Sequence, residues 1–160
     1  MVLIHPYEAP SEVGLSAVEH GRHRTTVRKG TIMGQPVVHF EIIGTDPGTL
    51  RNYYGELFGW RFDTSGPVSE AVSEPGNYGF VDPGTTGGGT GIPGGVGGGA
   101  DHDGHVIFYV GVPDVEDTLQ KAERLGGTRR MGPSRAQGTS LVVGHFTDPE
   151  GHLIGLASTT

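Results

Sequence analysis

The chain has 160 residues, with 18 acidic against 11 basic side chains, a net charge of −7 and no cysteine. Disulfides, thiolate metal sites and a cysteine nucleophile are therefore excluded. From Met33 onward seven basic residues stand against fifteen acidic ones, so the body offers no basic stripe to nucleic acid or an anionic membrane surface.

No apolar run approaches the roughly 20 residues of a membrane span, and Val2–Ile4 is too short for the core of a signal peptide. The expectation is a soluble, cytoplasmic protein. Residues 1–35 keep neither a helical nor a strand period. Pro6, Pro10, Gly14 and Gly21 interrupt them, and the stretch HGRHRTTVRKG is polar and basic. They read as a flexible arm, followed by one domain over 36–160.

Val37–Ile43 reads as a strand, with Val38, Phe40 and Ile42 on one face and His39, Glu41 and Ile43 on the other. An imidazole and a carboxylate thus point the same way. Asp46 is a good N-cap, and Pro47 suits the first helical position. Leu50, Tyr53, Tyr54, Leu57 and Phe58 form an apolar helical stripe, and Gly59 ends the helix. Strands are expected at Trp60–Thr64 and Asn77–Val81, with loop or irregular edge over 66–76.

Gly84–Gly104 contains eleven glycines. Gly89, Gly91 and Gly94 match G-x-G-x-x-G, but no helix pattern follows, so a dinucleotide fingerprint is not supported and no nucleotide cofactor is expected. The reading is a short Gly-rich strand near Thr90–Val96, closing module one (36–96), then a connector over 97–103.

Module two, 104–158, repeats the plan. His105–Val112 is an apolar strand with His105, Ile107 and Tyr109 on one face. Asp114 caps a helix with Glu116 and Asp117 in its first turn and Lys121 and Arg124 near its end, as the helix dipole favours. Thr128–Pro133 is a strand. Ser140–Phe146 and His152–Ala157 form a hairpin whose D-P-E-G link suits a type I turn. His39 and His105 are 66 residues apart, and the helix-ending Gly59 and Gly126 are 67 apart. The fold class is α+β, two βαβββ modules forming a cupped mixed sheet.

The doubled β-α-β-β-β order, the segments VVHFEI…YYGELFGW and GHVIFYV, and the closing FTDPEGHLIGL resemble the vicinal oxygen chelate superfamily. That group holds glyoxalase I, extradiol dioxygenases, fosfomycin-resistance enzymes and bleomycin-binding proteins. The strand GIPGG at Gly91–Gly95 is similar to one in small actinobacterial glyoxalase-like proteins. The resemblance implies a cup holding one divalent metal (Fe, Zn, Ni or Mn), and commonly a homodimer. His39 matches the first-strand ligand and His105 the ligand opening module two. The last-strand carboxylate falls on Gly155, and the fourth-strand ligand falls within GIPGG.

His39 and His105 are thus the candidate metal ligands, expected to face one another across the cup. His145 and His152, flanking the final hairpin, are further candidates. Tyr109, Ile107, Ile43, Trp60, Tyr78 and Gly155 are expected to line a ligand pocket, with Glu41 as the candidate catalytic base. Three functions are open. One is a small-molecule-binding protein with a partly degenerate metal site. The second is a metal-dependent lyase or dioxygenase acting on vicinal oxygens. The third is a structural or interaction protein with a vestigial cavity.

Overall fold

The computed structural model describes residues 34–87 and 90–159. The expected N-terminal arm lies outside them apart from its last two residues, as does Gly89 of the glycine motif. The elements run β1 (Val37–Gly44), α1 (Pro47–Phe58), β2 (Phe62–Asp63), β3 (Gly79–Val81), β4 (Gly94–Gly98), β5 (His105–Gly111), α2 (Val115–Arg124), β6 (Thr128–Arg135), β7 (Val142–Thr147) and β8 (Leu153–Ser158).

The eight strands of the described residues form one mixed sheet in the order β2-β3-β4-β1-β5-β8-β7-β6. The two modules mirror each other about a central antiparallel pair, β1 with β5, while β1–β4 and β5–β8 are parallel. The glycine-rich stretch enters the sheet two residues further than expected: Gly97 and Gly98, assigned to the connector, belong to β4, all of which is buried.

The helix starts follow their caps. Asp46 accepts from the Thr49 amide at 3.0 Å, and Asp114 accepts from the Asp117 amide at 2.8 Å. Gly59 closes α1 in the left-handed region at φ 72°, a conformation that favours glycine. Both helices lie on one face of the sheet. Leu50 of α1 sits over Gly44, and Val115 and Leu119 of α2 sit over Gly144. α2 buries Val115 and Leu119 in a small core with Val112 and Leu156, while Leu125 just after it stays exposed.

α1 does not bury its stripe. Tyr53, Leu57 and Phe58 are 58, 55 and 53% exposed. β4, the strand on which α1 mainly lies, is glycine at all but Val96 and gives the helix's second half little to pack on. Tyr54 and Phe58 instead stack at 5.9 Å and join Trp60, which lies 5.6 Å from Phe40.

The main core lies on the opposite face, where Ile43, Ile107, Tyr78, Tyr109 and Val143 pack with Val72. Val72 belongs to the segment 66–76, expected to be only loop. Its Ser73 hydroxyl bonds the Gly98 backbone in both directions, and Ser69 Oγ lies 2.7 Å from Ser134 Oγ of β6. The segment thereby closes one end of this face across both modules.

Candidate ligand cavity and its buried carboxyl network

β1 contains one extra residue near its start: Val37 lies opposite Val110, yet His39 lies opposite Tyr109. A bulge of this kind re-aims a side chain. It brings Val38, expected on the face of Phe40 and Ile42, to the wall of the same cavity as His39 and Glu41. That cavity measures about 470 Å³, and Phe80, Leu141 and Val143 supply much of its apolar wall. No Lys or Arg lines it among the described residues.

Glu41 is the buried carboxyl of this cavity, 5% exposed. Tyr78 donates its hydroxyl to Glu41 Oε1 at 3.1 Å, and Tyr109 donates to Oε2 at 2.6 Å. His39 Nε2 lies 2.8 Å from the Tyr78 hydroxyl, and His145 Nε2 lies 2.7 Å from the Tyr109 hydroxyl. The result is one chain, His39–Tyr78–Glu41–Tyr109–His145, symmetric about the carboxyl. A tyrosine hydroxyl carries a single proton. If both tyrosines donate to an ionised Glu41, each must accept from its histidine, which fixes both imidazoles as neutral Nε2–H tautomers. If Glu41 is protonated, the arm it donates into reverses, and that tyrosine donates to its histidine.

The electrostatics follow from burial. Desolvation raises Glu41 to about 7, against the lowering effect of the Tyr109 and Tyr78 hydrogen bonds. Burial pushes His39 down to about 4, and burial together with the charge of His105 does the same to His145. Both rings are therefore neutral at neutral pH. Burial and the adjacent Glu41 carboxylate push both phenols well above their ordinary range, so they remain donors.

Glycine makes this network possible. Tyr109 stands directly opposite Gly155 on β8, which stands opposite His145 on β7. A Cβ at Gly155 would lie 2.5 Å from Tyr109 Cδ1, so only a bare backbone lets the ring cross toward His145. On the other side Glu41 stands opposite Gly95. A Cβ at Gly95 would collide with the Tyr78 ring, and one at Gly97 would meet its Cδ2 at 2.5 Å.

The metal that the family resemblance implies is not matched by these donors. His39 and His105 do not meet within the chain. His39 pairs with Tyr109 and His105 with Ile43, which puts them about 14 Å apart along the central strands. The antiparallel register carries His105 to the far end, where its Nδ1 lies 2.8 Å from the Asp103 carbonyl. Of the positions of the missing ligands, Gly155 lies beneath the Tyr109 ring, and in GIPGG Gly95 lies beneath the Tyr78 ring while Gly94 lies beneath Phe40. Among the described residues no three His, Asp or Glu groups come together to hold an ion.

The other expected positions divide. Glu41, His39 and Tyr109 line the cavity, and Tyr78 backs the carboxyl. Ile43 and Ile107 are core, and Ile43 and His105 border a separate hollow at the start of α1. Trp60 belongs to the aromatic cluster beside α1, away from the cavity lining. Gly155 lies under Tyr109 rather than on the cavity wall. His152 is exposed and pairs with Asp148 at 2.9 Å. His145 is more central than the sequence suggests. Counting back from the D-P-E-G turn places it opposite Gly155, and that signal was there to be read.

Residues 37–156 match the Glyoxalase/Bleomycin resistance protein/Dioxygenase superfamily, and the chain belongs to that superfamily. No curated protein matches it. Among solved structures it is similar to a hypothetical protein from Bacillus halodurans C-125, at 13% identity and TM-score 0.55, covering 80% of this chain and 96% of that one. It is also similar to Streptomyces coelicolor methylmalonyl-CoA epimerase in complex with 2-nitronate-propionyl-CoA, at 15% identity and TM-score 0.54, covering 79% and 98%. At such identities the likeness is one of fold.

Proposed function

We propose that the protein binds a small, mainly apolar molecule in the cavity above Glu41. The observation that carries this reading is a cavity of about 470 Å³ ending at a buried carboxyl gripped by two tyrosine hydroxyls. An apolar enclosure with a few convergent polar groups is the usual form of a ligand site. A panel of apolar ligands should raise the melting temperature of wild type and leave Leu141→Trp, which fills the cavity, unmoved. A broad panel without effect on wild type would favour a vestigial cavity.

A second reading, a metal-independent proton-transfer enzyme with Glu41 as base, is favoured by one observation: burial holds this cavity-lining carboxyl at about 7. A catalytic base works best when poised near the operating pH. Solvent deuterium entering carbon alpha to a carbonyl, across a panel of carbonyl compounds, would reveal it, and Glu41→Gln should abolish the exchange. The donor set supports binding without a resident divalent ion.

A homodimer and a cytoplasmic setting belong to the same proposal. The first is supported by apolar side chains left exposed on the helix-bearing side, including Val106 at 70% and Phe108 at 42%.

A further inference from the structure

The geometry points to a protonated amine on an apolar skeleton as the ligand of this cavity, its ammonium seated against Glu41 between Tyr78 and Tyr109. This rests on the cavity being a ligand site.

Three features lead to it. Among the described residues, Glu41 is buried with hydrogen bonds but no counter-cation. Each of its oxygens accepts from one tyrosine, which leaves each a further acceptor site. No described Lys or Arg reaches the cavity wall to neutralise it. An unpaired buried charge is costly, and a cation delivered by the ligand removes that cost. A ligand carboxylate or phosphate, by contrast, would be repelled by Glu41 and find no cation among the described lining residues to receive it. The remaining wall, with Val38, Phe80, Leu141 and Val143, suits a hydrocarbon or aromatic body.

Among the described residues, the groups facing Glu41 are few. They are His39 on its own strand, Tyr78 ahead of β3, Tyr109 on β5 and, through Tyr109, His145 on β7. β4 contributes only the backbone of Gly95 opposite it. Both histidines are held neutral by burial, so Glu41 is the group whose ionisation the ammonium would favour. Binding below about pH 7 would then release the Glu41 proton to solvent.

The test uses three probes on one skeleton: 4-phenylbutylamine, 4-phenylbutan-1-ol and 4-phenylbutanoate, by isothermal titration calorimetry at pH 7.5 on the full chain. The amine should bind at least about tenfold more tightly than the alcohol, and the carboxylate at least about tenfold more weakly than the alcohol. Glu41→Gln should erase the difference between amine and alcohol. In wild type the amine affinity should rise about tenfold per pH unit from pH 5 to 6 and level off above 7, with matching proton release. That readout needs no variant to fold. A carboxylate that binds as well as the amine, or an amine affinity flat with pH, overturns the inference while leaving the cavity a binding site. Binding of none of the three removes the cavity reading and the inference with it.

Discussion

Tyr109 stands directly opposite Gly155, and its ring occupies the volume that any side chain at 155 would need. The position to which the family resemblance assigns a metal-binding carboxylate is thus the floor under a tyrosine. That tyrosine delivers its hydroxyl to Glu41 on a different strand. Tyr78 repeats the device over Gly95 and Gly97 in the other module. The two modules contribute one tyrosine each to a single carboxyl.

Gly155→Ala should therefore destabilise the fold by about 1–3 kcal/mol, the usual cost of overpacking a filled site. Combining it with Tyr109→Ala should give a total below the sum of the two single effects, because the new methyl then meets open space. Urea unfolding of the four proteins measures this, and strict additivity would contradict it.

The tyrosine hydrogen bonds pull Glu41 down against the larger upward push of burial. Tyr109→Phe removes the shorter of the two, so the Glu41 midpoint should move up from about 7, and Tyr78→Phe should move it the same way. Carbon-13 NMR of the glutamate carboxyls in each variant reads the shift; an unchanged midpoint would mean that the hydroxyls do not stabilise the ionised form.

The same displacements fix how stability varies with pH. Glu41 stands at about 7 in the fold against an ordinary 4.5, so its contribution is complete below 4.5 and lost as pH rises to about 7. His39 and His145 stand at about 4 against 6.5, so their contribution is complete above 6.5 and lost as pH falls to about 4. Between 4.5 and 6.5 two rising terms oppose one falling term, and wild-type stability should climb to a maximum near 6.5. Glu41→Gln removes the falling term. The advantage of wild type over this variant should drop by about 3 kcal/mol from pH 4.5 to 7 and stay level above, measured by urea melts across that range. A difference independent of pH would contradict it.

Loading with Fe(II), Mn, Ni or Zn followed by elemental analysis should give well below one ion per chain, since the donors nearest Glu41 are tyrosine hydroxyls and the candidate histidines are apart. His39→Ala with His105→Ala should leave that figure unchanged. One ion per wild-type chain that the double variant loses would show that the two histidines meet after all.

Much of this was legible in the sequence. The module plan, both helix caps and the final hairpin followed from local chemistry, and strand parity alone set Glu41 beside His39 and marked Tyr109 as inward. What parity does not give is register. The pairing of β1 with β5, set by tertiary packing, puts His39 opposite Tyr109 and carries His105 to the other end. Nor does parity foresee the bulge at Val38, which breaks the alternation it assumes. Period gives the stripe on α1 but does not reveal how little of it the sheet covers, since β4 beneath the helix is glycine at all but Val96. Gly95 and Gly155 stand where the family resemblance puts ligands, and their use, as space for rings from elsewhere in the chain, is visible only once the fold is closed.

The most direct measurement is the titration of Glu41 itself, by carbon-13 NMR of glutamate-labelled wild type with Glu41→Gln to assign the signal. A midpoint near 7 is predicted, as for a buried carboxyl held by two tyrosines without a cation. A midpoint near 4.5 would mean that Glu41 is solvated or paired with a positive charge, and would contradict the carboxyl network on which the cavity reading depends.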